Sequence, residues 1–191
     1  KFPQGSEKQL IYSVTGKEVP SGGLPADVGC IVDNVDTIVA IERAVLRGRP
    51  LMRRIITVSG GAAAKPGNYK VRLGMTFRDL MDAIGGFKSE PAKFIAGGPM
   101  MGPSMYSLDA VITKTASAIL CLTKEEALMP PERDCIRCGK CVEHCPMGLM
   151  PNELNHLVLL EDHEGFVANN GMDCMECGSC SFVCPAKREI V

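Results

Sequence analysis

Eight of the ten cysteines fall into two copies of one spacing, Cys135-x2-Cys138-x2-Cys141-x3-Cys145-Pro146 and Cys174-x2-Cys177-x2-Cys180-x3-Cys184-Pro185. This repetition constrains the fold more than any hydrophobic pattern in the chain. Three thiols so close together can wrap one group only where the backbone turns tightly, and Gly139 and Gly178 at equivalent positions permit that turn. The spacing is the ligand pattern of two [4Fe-4S] clusters, which points to electron transfer.

In two-cluster proteins of this kind the fourth cysteine of each motif ligates the other motif's cluster. Cys135, Cys138, Cys141 and Cys184 are therefore assigned to one centre, and Cys174, Cys177, Cys180 and Cys145 to its twin. Pro146 and Pro185 fix the backbone after the fourth ligand and stop a helix there. Structural zinc usually takes C-x2-C pairs set apart from one another, without a third cysteine three residues on. Disulfides fit less well still, because sulfurs this crowded in an otherwise cysteine-poor chain look like metal ligands.

At 191 residues the chain has room for one or two domains. Its 46% hydrophobic and 23% charged residues, with a net charge of -1, carry no nucleic-acid signature. Its longest apolar runs are a few residues, far short of the roughly 18 that a spanning helix needs. Any membrane association is expected to go through a partner. The chain opens at Lys1 rather than methionine, on an ordered-looking pattern, and reads as part of something larger.

Residues 7–14 read as a helix ended by Gly16, and a stronger helix opens at Asp36 or Thr37 and runs to Leu46, with Ile38, Ile41, Ala44 and Val45 on one face. Arg47, Arg49, Arg53 and Arg54 read as a solvated connection out of it. Ile55, Ile56 and Val58 form a strand, Pro66-Gly67-Asn68 a turn, and Tyr69, Val71 and Leu73 a second strand. Thr76 caps a helix whose Leu80, Met81 and Ile84 face inward, and Phe94-Ile95-Ala96 begins another strand. Strand-strand-helix-strand is the order of a β-grasp unit. The run Gly97-Gly98-Pro99-Met100-Met101-Gly102-Pro103 either passes close to a neighbour or ligand or is an elaborate loop. Val111-Ile112 and residues 118–122 read as final strands. Pro130-Pro131 marks a boundary, and a helix with Pro151 in its first turn separates the two cysteine motifs.

The run Lys1-Phe2-Pro3-Gln4-Gly5-Ser6-Glu7-Lys8-Gln9-Leu10-Ile11, the residue 97–102 loop and residues 135–150 together resemble the C subunit of the Rnf ion-translocating electron-transport complex, in its C-terminal part. The first 55 residues are also similar to the NADH- and FMN-binding subunit of respiratory complex I. Gly5-Ser6-Glu7-Lys8 and Asp33-Asn34-Val35-Asp36-Thr37 stand where that family contacts nucleotide and flavin. Glu7 and Asn34 match its pattern; Lys8 and Asp33 depart from it. The resemblance thus implies cofactor contacts by Glu7 and Asn34, although Glu7 also suits a helix's first turn and Asn34 a turn before a helix. No glycine-rich strand-to-helix loop for a phosphate is present, so FMN and NADH are expected only in a longer intact protein.

The resulting expectation is an α+β chain. A truncated Rossmann-like remnant of a NADH/FMN-binding domain spans 1–53, a β-grasp unit of the soluble-ligand-binding type spans 54–129, and a mainly helical two-cluster ferredoxin domain spans 130–191. The function implied is an electron-transfer subunit, peripheral on the cytoplasmic face of the cell membrane. Its partners are the other subunits of a membrane complex, with NADH and flavin in the intact protein and no nucleic acid. A cobalamin (corrin) reductase of the same architecture, and a non-enzymatic β-grasp interaction module with structural metal sites, are the alternatives. His144 reads as a solvated loop histidine, and Cys30 and Cys121 as small core residues. Met147, Met150, Met172 and Met175 either shield a cluster or fill a core.

Overall fold

Ser6 keeps extended backbone angles before the first helix, and Gly16 ends that helix in the left-handed region at φ 71°, its N–H returning to the Tyr12 carbonyl. The computed structural model describes residues 2–191. The helix α1 (Glu7–Thr15) is followed by a 3-10 turn at Pro25–Val28, then α2 (Val35–Arg47), β1 (Arg53–Ser59), β2 (Gly67–Arg72), α3 (Phe77–Ala83), β3 (Lys93–Ala96), β4 (Ser104–Met105) and β5 (Ala118–Leu122). Four helices complete the chain: α4 (Lys140–Glu143), α5 (Pro151–Leu159), α6 (His163–Ala168) and α7 (Ser179–Val183). Among the described residues two compact units result, one of residues 2–35 with 130–191, the other of residues 36–129.

The second unit is built on a five-stranded mixed sheet of order β2-β1-β5-β3-β4. β1 pairs antiparallel with β2, Ile56 opposite Tyr69, and parallel with β5, Val58 opposite Ile119. Alternation places Ile56, Val58, Ile119 and Cys121 on one face, where they meet Phe77, Leu80 and Met81 of α3 in a single core. Thr76 caps α3: its hydroxyl accepts from the Asp79 N–H at 3.0 Å, and the Asp79 carboxylate accepts from the Thr76 N–H at 3.4 Å. Val111 forms only an isolated bridge to Thr76 rather than the strand expected, while Ile112 beside it is buried.

The glycine-rich loop after β3 is explained by its own geometry. A Cβ on Gly102 would stand 2.6 Å from the Gly98 carbonyl oxygen and from Ile95 Cγ2. The Gly102 N–H donates to the Gly98 carbonyl, and the Ala96 N–H donates to the Pro103 carbonyl. The loop thus closes tightly enough to seat β4 against β3.

Arg54 departs from the solvated role expected of its cluster. Its side chain is only 12% exposed, lies 3.6 Å from the Asp36 carboxylate, and donates to the Lys114 carbonyl. Arg47 does lie at the surface, paired with Glu42 at 3.0 Å. Helix α2 buries no residue; Ile38 and Ile41 are about half exposed.

In the first unit the segment 2–35 packs on the cysteine motifs. Gln9 Nε2 donates to the Pro146 carbonyl at 3.1 Å and touches Met147 Sδ at 3.2 Å, and Ser21 donates to Asp173 at 2.6 Å. Ile11, Leu149, Leu154 and Ala186 are its buried apolar residues. α5 starts on Pro151, which fits the first turn because its missing N–H has no partner there in any helix. Cys30 is half-buried beside an exposed Ile31, so it is not the core residue expected.

Candidate metal centres

Both cysteine motifs adopt the same backbone. Arg137 and Glu176, each two residues after the first cysteine, have φ 52°; Gly139 and Gly178 have φ 75° and 73° and start α4 and α7. A residue of left-handed angle between right-handed ones turns successive N–H groups to one side, a concavity suited to an anionic group such as an iron-sulfur centre. The Glu176 N–H accordingly donates to Cys174 Sγ at 3.4 Å.

The eight thiols divide between two cavities, and the division crosses the motifs. Cys135, Cys138, Cys141 and Cys184 line a cavity of about 190 Å³. Cys145, Cys174, Cys177 and Cys180 line another of about 520 Å³. Each motif thus contributes three cysteines to one cavity and its fourth to the other. Pro146 and Pro185 follow the crossing cysteines, and α4 and α7 pack together between them.

The walls differ. Arg137, Met150, Asn152 and Arg188 line the first cavity; Met147, Leu154, Phe166, Met172, Met175 and Glu176 line the second; Asn155 is common to both. Asn152 Oδ1 lies 3.9 Å from Cys141 Sγ, and Arg188 donates to Asn155 Oδ1 at 3.3 Å. The Cys177 thiol donates to Ser179 Oγ at 3.4 Å. Burial pushes the Cys180 thiol above its ordinary range, so a cation must supply the charge that makes it a thiolate ligand. Four thiols about one cavity are the donor set of a [4Fe-4S] centre, in which each cysteine takes a separate iron and the sulfurs need not converge on one point. Among the described residues no three His, Cys, Asp or Glu side chains are grouped so as to hold a single metal ion. The donor chemistry and the cradle of N–H groups fit the cluster.

Among the lining residues that sequence reasoning did not single out are Arg137, Asn152, Asn155, Phe166, Glu176 and Arg188. The signal for the two asparagines was present, since Asn152 and Asn155 stand three apart on one face of α5. Met172 is 75% exposed and Met150 54%, so these two cover cavity mouths rather than fill a core. His144 is exposed and its Nδ1 pairs with the Lys140 carbonyl at 2.9 Å. Glu7 opens α1 and Asn34 precedes α2; both are exposed and line neither cavity.

Paired thiol cavities on a helical unit, in one chain with a mixed-sheet unit, define an iron-sulfur electron-transfer protein. The 4Fe-4S dicluster domain family matches residues 134–189, the SLBB domain family residues 55–104, and the Nuo51 FMN-binding domain family residues 1–43. The chain is a relative of the C subunits of Rnf-type ion-translocating ferredoxin:NAD oxidoreductase complexes. It is 48% identical over its whole length to the C subunit of the Na(+)-translocating complex from Acetobacterium woodii, covering 43% of that protein. Over 82% of its length it is 55% identical to the C subunit of the proton-translocating complex from Clostridium ljungdahlii, covering 34% of that one. It is also 42% identical over 86% of its length to the C subunit of the ion-translocating complex from Yersinia enterocolitica, covering 24%. The chain therefore spans less than half the length of these curated relatives. No helix among the described residues is long and apolar enough to cross a membrane.

Proposed function

We propose that this chain carries two [4Fe-4S] clusters for a membrane-bound, ion-translocating ferredoxin:NAD oxidoreductase, on whose cytoplasmic face it sits as part of the peripheral C subunit. A [4Fe-4S] centre supplies reversible one-electron storage. Cys135, Cys138, Cys141 and Cys184 hold one, and Cys174, Cys177, Cys180 and Cys145 hold the other. One observation carries this reading: eight cysteines sort four and four onto two cavities, with the fourth of each motif crossing. Around them the Glu176 N–H turns to the Cys174 sulfur, and the mainly apolar wall of the second cavity limits the approach of water there. The order β2-β1-β5-β3, with β1 and β5 parallel, supports a β-grasp unit for residues 54–129. Residues 1–53 are read as the remnant of a nucleotide domain in which Glu7 and Asn34 contact NADH or FMN in the longer protein.

The test is iron and acid-labile sulfide analysis after anaerobic reconstitution. About eight irons with matching sulfide, and a visible charge-transfer band bleached by dithionite, are expected. Zinc in place of iron overturns the reading.

A further inference from the structure

The two cavities present one donor set in opposite surroundings. The lining of the first includes two arginines, Arg137 and Arg188, and no acidic residue. Among the described residues neither arginine has an ion-pair partner within 4.0 Å, and half-buried Arg188 has only the Asn155 amide oxygen. The second cavity is lined by one charged side chain, that of Glu176, in a wall that is otherwise mainly apolar. Burial runs the same way on balance: two of the first set, Cys135 and Cys138, are exposed and none is buried, whereas Cys177 and Cys180 of the second are buried and only Cys174 is exposed.

A cluster ligated by four thiolates is anionic, and each electron added makes it more so. Cations and solvent stabilise that added charge, whereas a carboxylate and an apolar wall oppose it. Hydrogen bonds to sulfur act against this difference: Cys174 accepts one from the Glu176 N–H, and the Ser179 hydroxyl, 3.4 Å from Cys177 Sγ, can turn to donate once that sulfur is a thiolate. These are neutral dipoles, weaker at a charged centre than full charges on both sides and exposure in addition.

We infer that Arg137 and Arg188, opposed by Glu176, split the potentials of the two centres, so that the one held by Cys135, Cys138, Cys141 and Cys184 is reduced first. The inference rests on the proposed [4Fe-4S] reading. Each centre accepts one electron from a low-potential donor, with no bond made or broken. In the partly reduced protein the electron sits on the arginine-lined side, and the side holding the buried Cys177 and Cys180 stays oxidised until a second electron arrives.

The experiment is a mediated redox titration of the reconstituted chain, followed by electron paramagnetic resonance, with Cys138→Ser assigning the arginine-side signal. Two one-electron waves are expected, the higher on the arginine side. Arg188→Met should weaken electron binding there about tenfold, 59 mV for one electron, and leave the other wave in place. Arg188→Lys should restore it, and Glu176→Gln should raise the lower wave alone. If Arg188→Met loads poorly, Arg137→Gln and Glu176→Gln carry the same comparison. About eight irons with coincident waves, or waves unmoved by these changes, overturn the inference and leave the cluster reading standing. Absence of iron overturns both.

Discussion

Arg137 and Glu176 occupy the same place in the two cysteine motifs, share a backbone φ of 52°, have opposite charges and line different cavities. The motifs are thus backbone copies whose side chains have diverged. Left-handed angles are rare away from glycine. Their retention at Arg137 and Glu176 shows that the turn, rather than the residue in it, is the common element.

A second matched pair shows the energetics without touching a cavity. Gly148 has φ 69° and its counterpart Lys187 has φ 56°. A Cβ on Gly148 would meet nothing within 4 Å, so only backbone strain opposes it. Gly148→Ala is expected to destabilise by about 1 kcal/mol. Lys187→Gly is expected to stabilise by a smaller amount, about 0.5 kcal/mol, because glycine's freedom in the unfolded chain offsets part of the relief. Urea midpoints of the cluster-loaded protein check both signs.

Crossed ligation predicts which cysteine changes act together. Cys138→Ser with Cys184→Ser strikes a single cavity and should leave one complete cluster, about four irons. Cys138→Ser with Cys145→Ser strikes both and should leave neither cluster with four thiolates. Were each motif self-sufficient, the two double variants would exchange outcomes. Iron content and reduced-state resonance spectra distinguish them.

Helices α1, α2, α3 and α5, the capping Thr76 and most strands were legible because each rests on local chemistry: a cap, a proline in a first turn, or periodicity over a few residues; the short α4, α6 and α7 carry too few residues for such a pattern. The division of the eight cysteines between two cavities was legible because the spacing carries the crossing with it. What remained hidden depends on partners distant in sequence. Arg54 read as solvated among neighbouring arginines, yet Asp36 and the Lys114 carbonyl hold it. Ile38 and Ile41 give α2 its apolar face, but periodicity does not say what covers that face, and here both remain about half exposed. Arg188 could not be assigned to a cavity from sequence, because the chain returns to the first cavity only after the second motif closes.

Acid behaviour follows from an exposed pair in the sheet unit. The Arg78 guanidinium donates to Asp109 at 2.7 Å, and the Ser107 hydroxyl donates to it at 2.6 Å, which together hold the Asp109 carboxyl down at about 2. A depressed carboxylate contributes stability above its unfolded value, and that contribution is lost as pH falls through the folded one. The loss therefore belongs between roughly pH 4 and 2, and it is small because the pair is exposed. Arg78→Ala should return the Asp109 midpoint toward the ordinary carboxylate range, as followed by carbon NMR of its side chain.

Cys121 gives the corresponding test at alkaline pH. It lies in the core of the sheet unit, fully buried on β5, and burial pushes its thiol up to about 11. The native state therefore keeps its proton while the unfolded chain gives one up near the ordinary cysteine value. The unfolded state binds fewer protons in that interval, so stability falls as pH rises from about 9 to 11. Cys121→Ala removes this slope, at the cost of a small cavity. The same burial predicts selectivity toward a thiol reagent such as iodoacetamide at pH 8. In the cluster-loaded protein half-buried Cys30 should be alkylated first, and Cys121 only on unfolding. Peptide mapping after timed alkylation reads the order, and labelling of Cys121 at a rate matching Cys30 would show that the sheet unit opens far more readily than its buried core implies.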